Sequence, residues 1–402
     1  MFVDGHLLTK PSLDRLSPGP LGVRTCDRSR CFEGYTLFSS AFGYTEYLID
    51  LNGMVVHTWP ITKSQLAELR PNGNLMVDRY LDGAGLDELA PDGTKVWHWD
   101  GPYHHDFEIL PNDNIVCLTS RTEPCPSRLF PPSLAPETLR NDVVVEIDRK
   151  GEIIWEFPFI EHIDEICDLS GLPLPIPHAN ISADGEIQLQ PRSDWAHTNT
   201  IEVLPDTQLG REDSRFRAGN LLFCFRSLDI IGTIDREKNA VVWAWGLEII
   251  DGPHQPTMLE DGNILLFDNG TYRDYSIARE INPATEEIVW QYEDRKDFYS
   301  PYRSGVQRLP NGNTLICESD AGRIFEVTTD LKVVWDYQSP FMGQGPENMG
   351  RHIYRATRYT ESEVANLFEA RTEKFVGVAN LNRERLVSFS EVLEYYTTGL
   401  KK

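Results

Sequence analysis

A single repeat dominates the chain and restricts what it can fold into. Each copy starts with a short apolar strand and turns at a motif close to Leu-Pro-Asn-Gly-Asn. A second strand follows, and the copy ends in a Val-Trp-x-Trp or Val-Trp-x-Tyr element. The turns fall at Arg70 to Asn74, Leu110 to Asn114, Leu204 to Asp206, Leu259 to Asn263 and Leu309 to Asn313. The closing aromatics are Trp59, Trp97 with Trp99, Trp155, Trp243 with Trp245, Trp290 with Tyr292, and Trp335 with Tyr337. The last of these recur about every 45 residues, the length of one propeller blade of four short strands. A blade alone leaves both faces bare, whereas neighbouring blades bury one another. Helical repeats do not fit, because the runs are short, β-branched and aromatic, and Gly or Pro interrupts them every 8–12 residues or so.

The expected fold is therefore an all-β propeller. Strands at 35–39, 44–50 and 54–59 lack a turn-motif hairpin before them, and Arg351 to Tyr359 looks like an opening strand with nothing after it. These pieces are expected to combine into one composite blade, giving six blades. The long gap between Trp155 and Trp243 holds insertions at Glu161 to Gln190 and Thr207 to Ala218, and leaves a seventh blade near 178–192 open. The organisation expected is an arm at 1–33, a propeller at 34–360 and a short helical tail at 361–402, with a second helix at Ser388 to Tyr396.

The net charge of −24 argues against non-specific binding to nucleic acid or to an anionic membrane. No run of 18 apolar residues is present to span a bilayer. The N-terminus shows no export signal, so the chain as it stands is expected to be cytoplasmic, or periplasmic or secreted if trimmed. Seven cysteines do not make an even disulfide framework: Cys26 and Cys31 could pair, and Cys117, Cys224 and Cys317 read as buried thiols. No metal-ligand spacing stands out, and neither a metal nor another cofactor is expected. Oligomeric state is left open.

Function is legible in the segment Asp251 to Gly270. A hairpin centred on Asp261-Gly262 sets His254 opposite Asn269. Aligning the repeats on their turns brings Gln65, His105, Asn199, His254 and Ser304 into register, with Lys63, Tyr103, His197, Gly252 and Tyr302 two residues earlier. Arg226 and Asn269 end the returning strands at the same level. Three histidines, an arginine, an asparagine and two tyrosines thus converge on one mouth of the propeller. His104 and His105, being adjacent, are expected to face opposite ways. Arg303 and Arg355 are further channel candidates, while His57, His98 and His162 read as surface residues. Imidazole serves as base, acid or nucleophile near neutral pH, and a guanidinium matches sulfate, phosphate or carboxylate. Two reactions suit the set. One is sulfuryl transfer through a covalent histidine. The other is β-elimination on a uronate, with Arg on the carboxylate and His or Tyr moving protons.

The motifs His104-His105-Asp106, Trp195-Ala-His197-Thr-Asn199, Phe225-Arg226-Ser, Pro253-His254-Gln255 and Phe267-Asp268-Asn269-Gly270, in this order, resemble those of the PAPS-independent aryl sulfotransferases. The resemblance covers about residues 34–360. It implies a six-bladed propeller that moves sulfate from a small aromatic sulfate ester to a phenol without a nucleotide donor. It further implies that His254 becomes transiently sulfated, that His197 and Arg226 hold the sulfate, and that His105, or else His104, assists. Tyr103, Asn199, Asn269, Tyr302, Arg303 and Arg355 complete the expected substrate-binding set. The same motifs are similar to those of lyases that remove rhamnose from a glucuronate, which would make the partner an anionic glycan. A non-catalytic binding propeller is the third reading.

Overall fold

The computed structural model describes residues 20–41, 43–79, 83–176, 193–342 and 350–370, plus short strands at 2–3, 6–7, 180–181 and 187–188. The fold is an all-β six-bladed propeller. In chain order, blade 1 comprises Tyr35–Ser40, Gly43–Ile49 and Val55–Ser64, and Ile353–Tyr359 completes it as its first strand, as expected of a composite blade. Blade 2 runs from Ala67–Leu69 to Lys95–Asp100, blade 3 from Tyr103–Ile109 to Ile153–Pro158, and blade 4 from Thr198–Val203 to Ala240–Trp245. Blade 5 runs from His254–Met258 to Glu287–Glu293. Blade 6 contains Thr314–Glu318, Arg323–Val327 and Val333–Gln338, and Gly22–Cys26 of the N-terminal arm adds to its outer edge. Within 178–192 only a two-stranded ribbon is described, Asn180–Ile181 with Ile187–Gln188. The Thr207 to Ala218 insertion carries a short helix, Gln208–Glu212. A further helix, Glu361–Glu369, starts at a capping box made by Thr360 and Glu363; the expected second tail helix lies outside the described residues. No described helix is long and apolar enough to cross a membrane.

The described residues form two compact units. Tyr80–Leu86 and Trp99–Arg308 carry blades 3, 4 and 5, whereas Pro11–Arg79, Asp87–His98 and Leu309–Lys402 carry blade 1, nearly all of blade 2 and all of blade 6 but its first strand, Gly305–Arg308.

The repeat motif has a physical reason in both units. At each full turn the backbone closes twice, as Leu259 N donates to Asn263 O and Gly262 N to Leu259 O, with counterparts at Arg70, Leu110 and Leu309. The last Asn of the turn then donates to a Glu on the third strand: Asn74 to Glu88, Asn114 to Glu146, Asn263 to Glu280 and Asn313 to Glu326, at 2.6–2.7 Å. Each Glu also meets an Arg, namely Arg70, Arg236, Arg308 and Arg358. Three of these guanidiniums lie over closing Trp rings: Arg236 on Trp155, Arg308 on Trp290 and Arg358 on Trp335. The recurrent Asn and Trp are thus two ends of one Asn–Glu–Arg–Trp cluster that satisfies charges inside the sheet stack.

The turn geometry corrects the expected register. Leu259 and Asn263 enclose a three-residue loop in which Gly262 takes φ +89°, where an added Cβ would also strike Leu209 at 2.7 Å. Thr257 therefore pairs with Leu265, and a bulge at Gln255 (φ +45°) sets His254 opposite Phe267 rather than Asn269. Two histidines read as surface are buried: His57 contacts Trp59 and Pro91 O, and His162 stacks on Phe157 at 3.9 Å. Cys117, Cys224 and Cys317 are buried as expected. Cys26 and Cys31 are free thiols with their sulfurs 4.0 Å apart.

Buried carboxyls link blades 3, 4 and 5. Glu108 accepts the Val203 amide, and Glu202 accepts the Met258 amide at 2.8 Å. Burial raises the pKa of Glu108 to about 7. It raises that of Glu202 well above its ordinary value, with Glu108 and Asp106 adding to the shift. A folded-state pKa above the unfolded one gives stability that is complete below the unfolded value of 4.5 and lost as pH rises. Glu202→Gln keeps the acceptor oxygen without the charge. Its stability relative to wild type is expected to increase from pH 5 to pH 8 in urea melts; an equal difference at both would contradict this.

Candidate active site

All but one of the expected site residues lie in the unit made of blades 3, 4 and 5. The chain starts the first strand of each of these blades with a bulge and a non-glycine residue at positive φ: His105 (+63°), His197 (+50°) and Gln255 (+45°). Such positions are uncommon outside glycine and concentrate at functional sites. The bulges also explain why a constant offset from the turn does not give true register.

In blade 3 Tyr103 pairs with Thr119 and Phe107 with Cys117, so three residues face one. Strict alternation is lost there, and His104 and His105 do not point to opposite faces. Their Nδ1 atoms lie 2.9 Å apart. His104 Nε2 is 3.0 Å from Thr119 O and must donate to it. His104 Nδ1 then accepts from His105 Nδ1–H, which leaves the His105 lone pair on Nε2. Burial, followed by the Arg140 charge, lowers the pKa of His104 to about 4. Burial and then His197 and His104 push His105 well below its ordinary value. Both rings are neutral at pH 7.

His197 meets the His105 ring at 4.8 Å between centroids, interplanar angle 70°. Its Nδ1 is 2.6 Å from Asp194 Oδ2. In Asp194 burial raises the pKa, but the His197 charge and hydrogen bond, with Arg140 and His104, outweigh it and hold the carboxyl well below the usual range. Arg226 donates its backbone amide to His197 O at 3.2 Å. Its guanidinium charge acts on both His254 and Asp229. Asp229 accepts the Gly252 amide at 2.6 Å.

His254 is buried, and Nδ1 sits 2.7 Å from Asn269 Oδ1 and 3.1 Å from Gly252 O. Two acceptors require Nδ1–H, so the lone pair lies on Nε2, where the Arg303 amide donates at 3.1 Å. Arg303 and Ser304, at φ +57° and +79°, aim that amide inward. Burial, then Arg226, lowers the His254 pKa well below its ordinary value. Asn269 is fixed in turn, donating to Ser300 O at 2.8 Å and Arg303 O at 3.0 Å.

Other expected ligand contacts look different. Asn199 is fully buried and donates to Pro253 O at 2.8 Å, which holds the segment before His254. Tyr103 is buried near Phe107. The Arg303 guanidinium lies 5.3 Å from the centre of the Tyr302 ring. Arg355 belongs to the other unit, over Tyr354 at 5.8 Å. Asp194, Arg140 and Asp142 escaped the sequence reading. Asp194 had a faint signal, three residues before His197; Arg140 and Asp142 had none. Among the described residues no group of three His, Cys, Asp or Glu is arranged to hold a metal ion.

Three depressed imidazoles have a consequence for stability. Their folded-state pKa lies below 6.5, so the stability they give is present above pH 6.5 and lost as pH falls. For His104 the loss approaches order 3 kcal/mol by about pH 4. His104→Gln is expected to flatten the difference between unfolding midpoints at pH 7 and pH 5; an unchanged difference would contradict this.

Residues 81–340 match the family model described as Arylsulfotransferase (ASST). No curated protein sequence matches significantly. Similar solved structures include a protein of unknown function from Bacteroides caccae, at 14% identity and TM-score 0.49, covering 81% of this chain and 99% of that one. A streptogramin B lyase shows 13% identity and TM-score 0.44, covering 85% and 94% of the two chains. A catalytically inactive virginiamycin B lyase from Staphylococcus aureus shows 12% identity and TM-score 0.43, covering 80% and 89%.

Proposed function

The chain belongs to the arylsulfotransferase family, and from that premise we propose that it moves a sulfuryl group from an aryl sulfate to a phenol through His254. The supporting observation is the fixed tautomer: Asn269 and Gly252 take the Nδ1 proton, so Nε2 carries the lone pair. Nε2 attacks sulfur, the S–O bond to the aryl group breaks, and the phenolate leaves with the electron pair and takes up a proton. In the second half the acceptor phenol loses its proton and attacks sulfur, and the N–S bond breaks. Arg226 and His197 stabilise the non-bridging oxygens, and the His105 Nε2 lone pair carries the proton. The arriving sulfuryl group displaces the Arg303 N–H from Nε2, leaving that amide beside a developing oxyanion.

Nitrophenol release from 4-nitrophenyl sulfate that depends on added phenol tests the reading; no release with or without acceptor contradicts it. Arg226→Lys is expected to lower kcat about 10²–10³-fold, the usual effect of losing one oxyanion donor. Undiminished kcat would remove Arg226 from the site.

One observation favours a second reading. In the resting geometry the Arg303 amide occupies His254 Nε2, while the His105 and His197 rings lie in contact. That pair suits β-elimination on a uronate, with Arg226 and Arg303 on the carboxylate and Tyr103 and Tyr302 near the sugar. Absorbance from an unsaturated uronate on glucuronate-capped glycans, without nitrophenol release from aryl sulfates, would favour it.

A further inference from the structure

Beside the histidines runs a polar network that no residue role above uses. Its centre is Arg140, on the third strand of blade 3. Arg140 Nε donates to Asp142 Oδ1 at 2.9 Å, and Nη1 lies 3.4 Å from Asp194 Oδ2. Its backbone amide donates to Ser193 O at 2.6 Å, which ties the Asp194 segment to the blade. Asp142 accepts the Thr198 amide on Oδ2 at 2.8 Å, and its Oδ1 is 3.4 Å from His104 Nε2. One guanidinium thus connects two carboxylates. Asp194 holds His197, and Asp142 reaches both His104 and the residue after His197.

His197 stands at positive φ just before the strand Thr198–Val203, whose bulge follows between Thr198 and Thr200. The 2.6 Å contact to Asp194 orients its ring: an ionised carboxylate accepts only, so Nδ1 carries a proton and Nε2 is left for the reacting group. Such an arrangement orients an imidazole and stabilises the positive charge that develops when it takes a proton.

We propose that Asp194 is the positioning residue for His197 in the reaction, and that Arg140 holds Asp194 in place. This rests on the reading that His197 acts on the transferred group. Asp194 itself touches no reacting atom. It presents His197 Nε2 to the transferred group, and once that nitrogen carries a proton its N–H donates to the sulfuryl oxygens. Arg140 acts one step further back, and through Asp142 it joins the His104–His105 pair to the same framework.

The test has two arms on the full-length protein. In the first, histidine ring nitrogen NMR of the wild type, with the His197 signals assigned by their loss in His197→Gln, reads the tautomer. Protonation on Nδ1 is expected, and protonation on Nε2 alone overturns the proposal. In the second, Asp194→Asn and Asp194→Glu are compared with 4-nitrophenyl sulfate and phenol. Asp194→Asn is expected to lower kcat at least about 100-fold while KM stays within a few-fold. Asp194→Glu should restore part of kcat, and Arg140→Met should cost about tenfold. A kcat within threefold or so of wild type in Asp194→Asn, or equal losses in the Asn and Glu variants, overturns the positioning role. A wild type inert towards aryl sulfates but protonated on His197 Nδ1 contradicts the sulfuryl reading while supporting the Asp194–His197 assignment.

Discussion

His254→Asn is expected to lower phenol-dependent nitrophenol release by at least about 10⁴-fold. The variant keeps a polar side chain in the pocket, so the hydrogen-bonding shell of Asn269, Gly252 and Arg303 remains partly satisfied. It has no nitrogen with a lone pair for sulfur, and covalent transfer stops. The remaining rate is what Arg226 and His197 give by binding the sulfuryl oxygens. Asn269→Ala leaves the nucleophile but removes the acceptor 2.7 Å from Nδ1. The ring is then free to take the other tautomer, and a loss of about 10²–10³-fold is expected. Because both changes act on one nitrogen, the double variant should be no slower than His254→Asn alone. Steady-state rates of the four proteins, with thermal melts to establish folding, check this; His254→Asn retaining a tenth or so of the activity would remove His254 from the chemistry.

Arg358→Met is expected to produce the largest loss of stability, about 3–5 kcal/mol. Both partners of the Arg358–Glu326 pair are wholly buried, 2.7 Å apart. Arg358 also donates to Thr36 Oγ1 and Phe32 O, and its guanidinium lies 4.3 Å from the Trp335 ring. Glu326 receives three donors: the Phe32 amide, Asn313 Nδ2 and Arg358. Removing Arg358 leaves a buried carboxylate with two neutral donors, and the cost is dominated by that uncompensated charge. Arg358→Met/Glu326→Gln removes the charge and keeps an acceptor for Asn313. It should therefore be more stable than Arg358→Met, by about 1 kcal/mol or more. Chemical denaturation of the three proteins measures this; an Arg358→Met loss under about 1 kcal/mol would show that the pair does not support the composite blade.

The propeller was legible because its repeat is chemical as well as periodic. In blades 3, 5 and 6 the turn Asn and the closing Trp stand at fixed places because they end one Asn–Glu–Arg–Trp cluster. The Arg residues could not be read as members, since Arg236 comes from a turn of blade 4 and Arg358 from a strand of blade 1. The composite blade was legible for a simple reason: the strands at 35–39, 44–50 and 54–59 lacked a turn-motif hairpin before them, and Arg351 to Tyr359 lacked a blade after it. His105, His197, Arg226, His254 and Asn269 were found because they flank recognisable strands. Their geometry was not, because alternation and constant offsets fail at bulges. His104 and His105 meet instead of diverging, and His254 pairs with Phe267 while still bonding Asn269. The hydrogen bond from Asn199 to Pro253 O was not legible either. Asp194 and Arg140 act through contacts between distant segments, which no local pattern announces.

The most direct test of the central claim is intact-protein mass spectrometry after brief exposure to 4-nitrophenyl sulfate without acceptor. The account predicts an adduct of about 80 Da on the wild type that maps to His254, disappears when phenol is added, and does not form on His254→Asn. Acceptor-dependent turnover with no adduct on rapid quenching, or an adduct that persists in His254→Asn, would contradict transfer through this histidine.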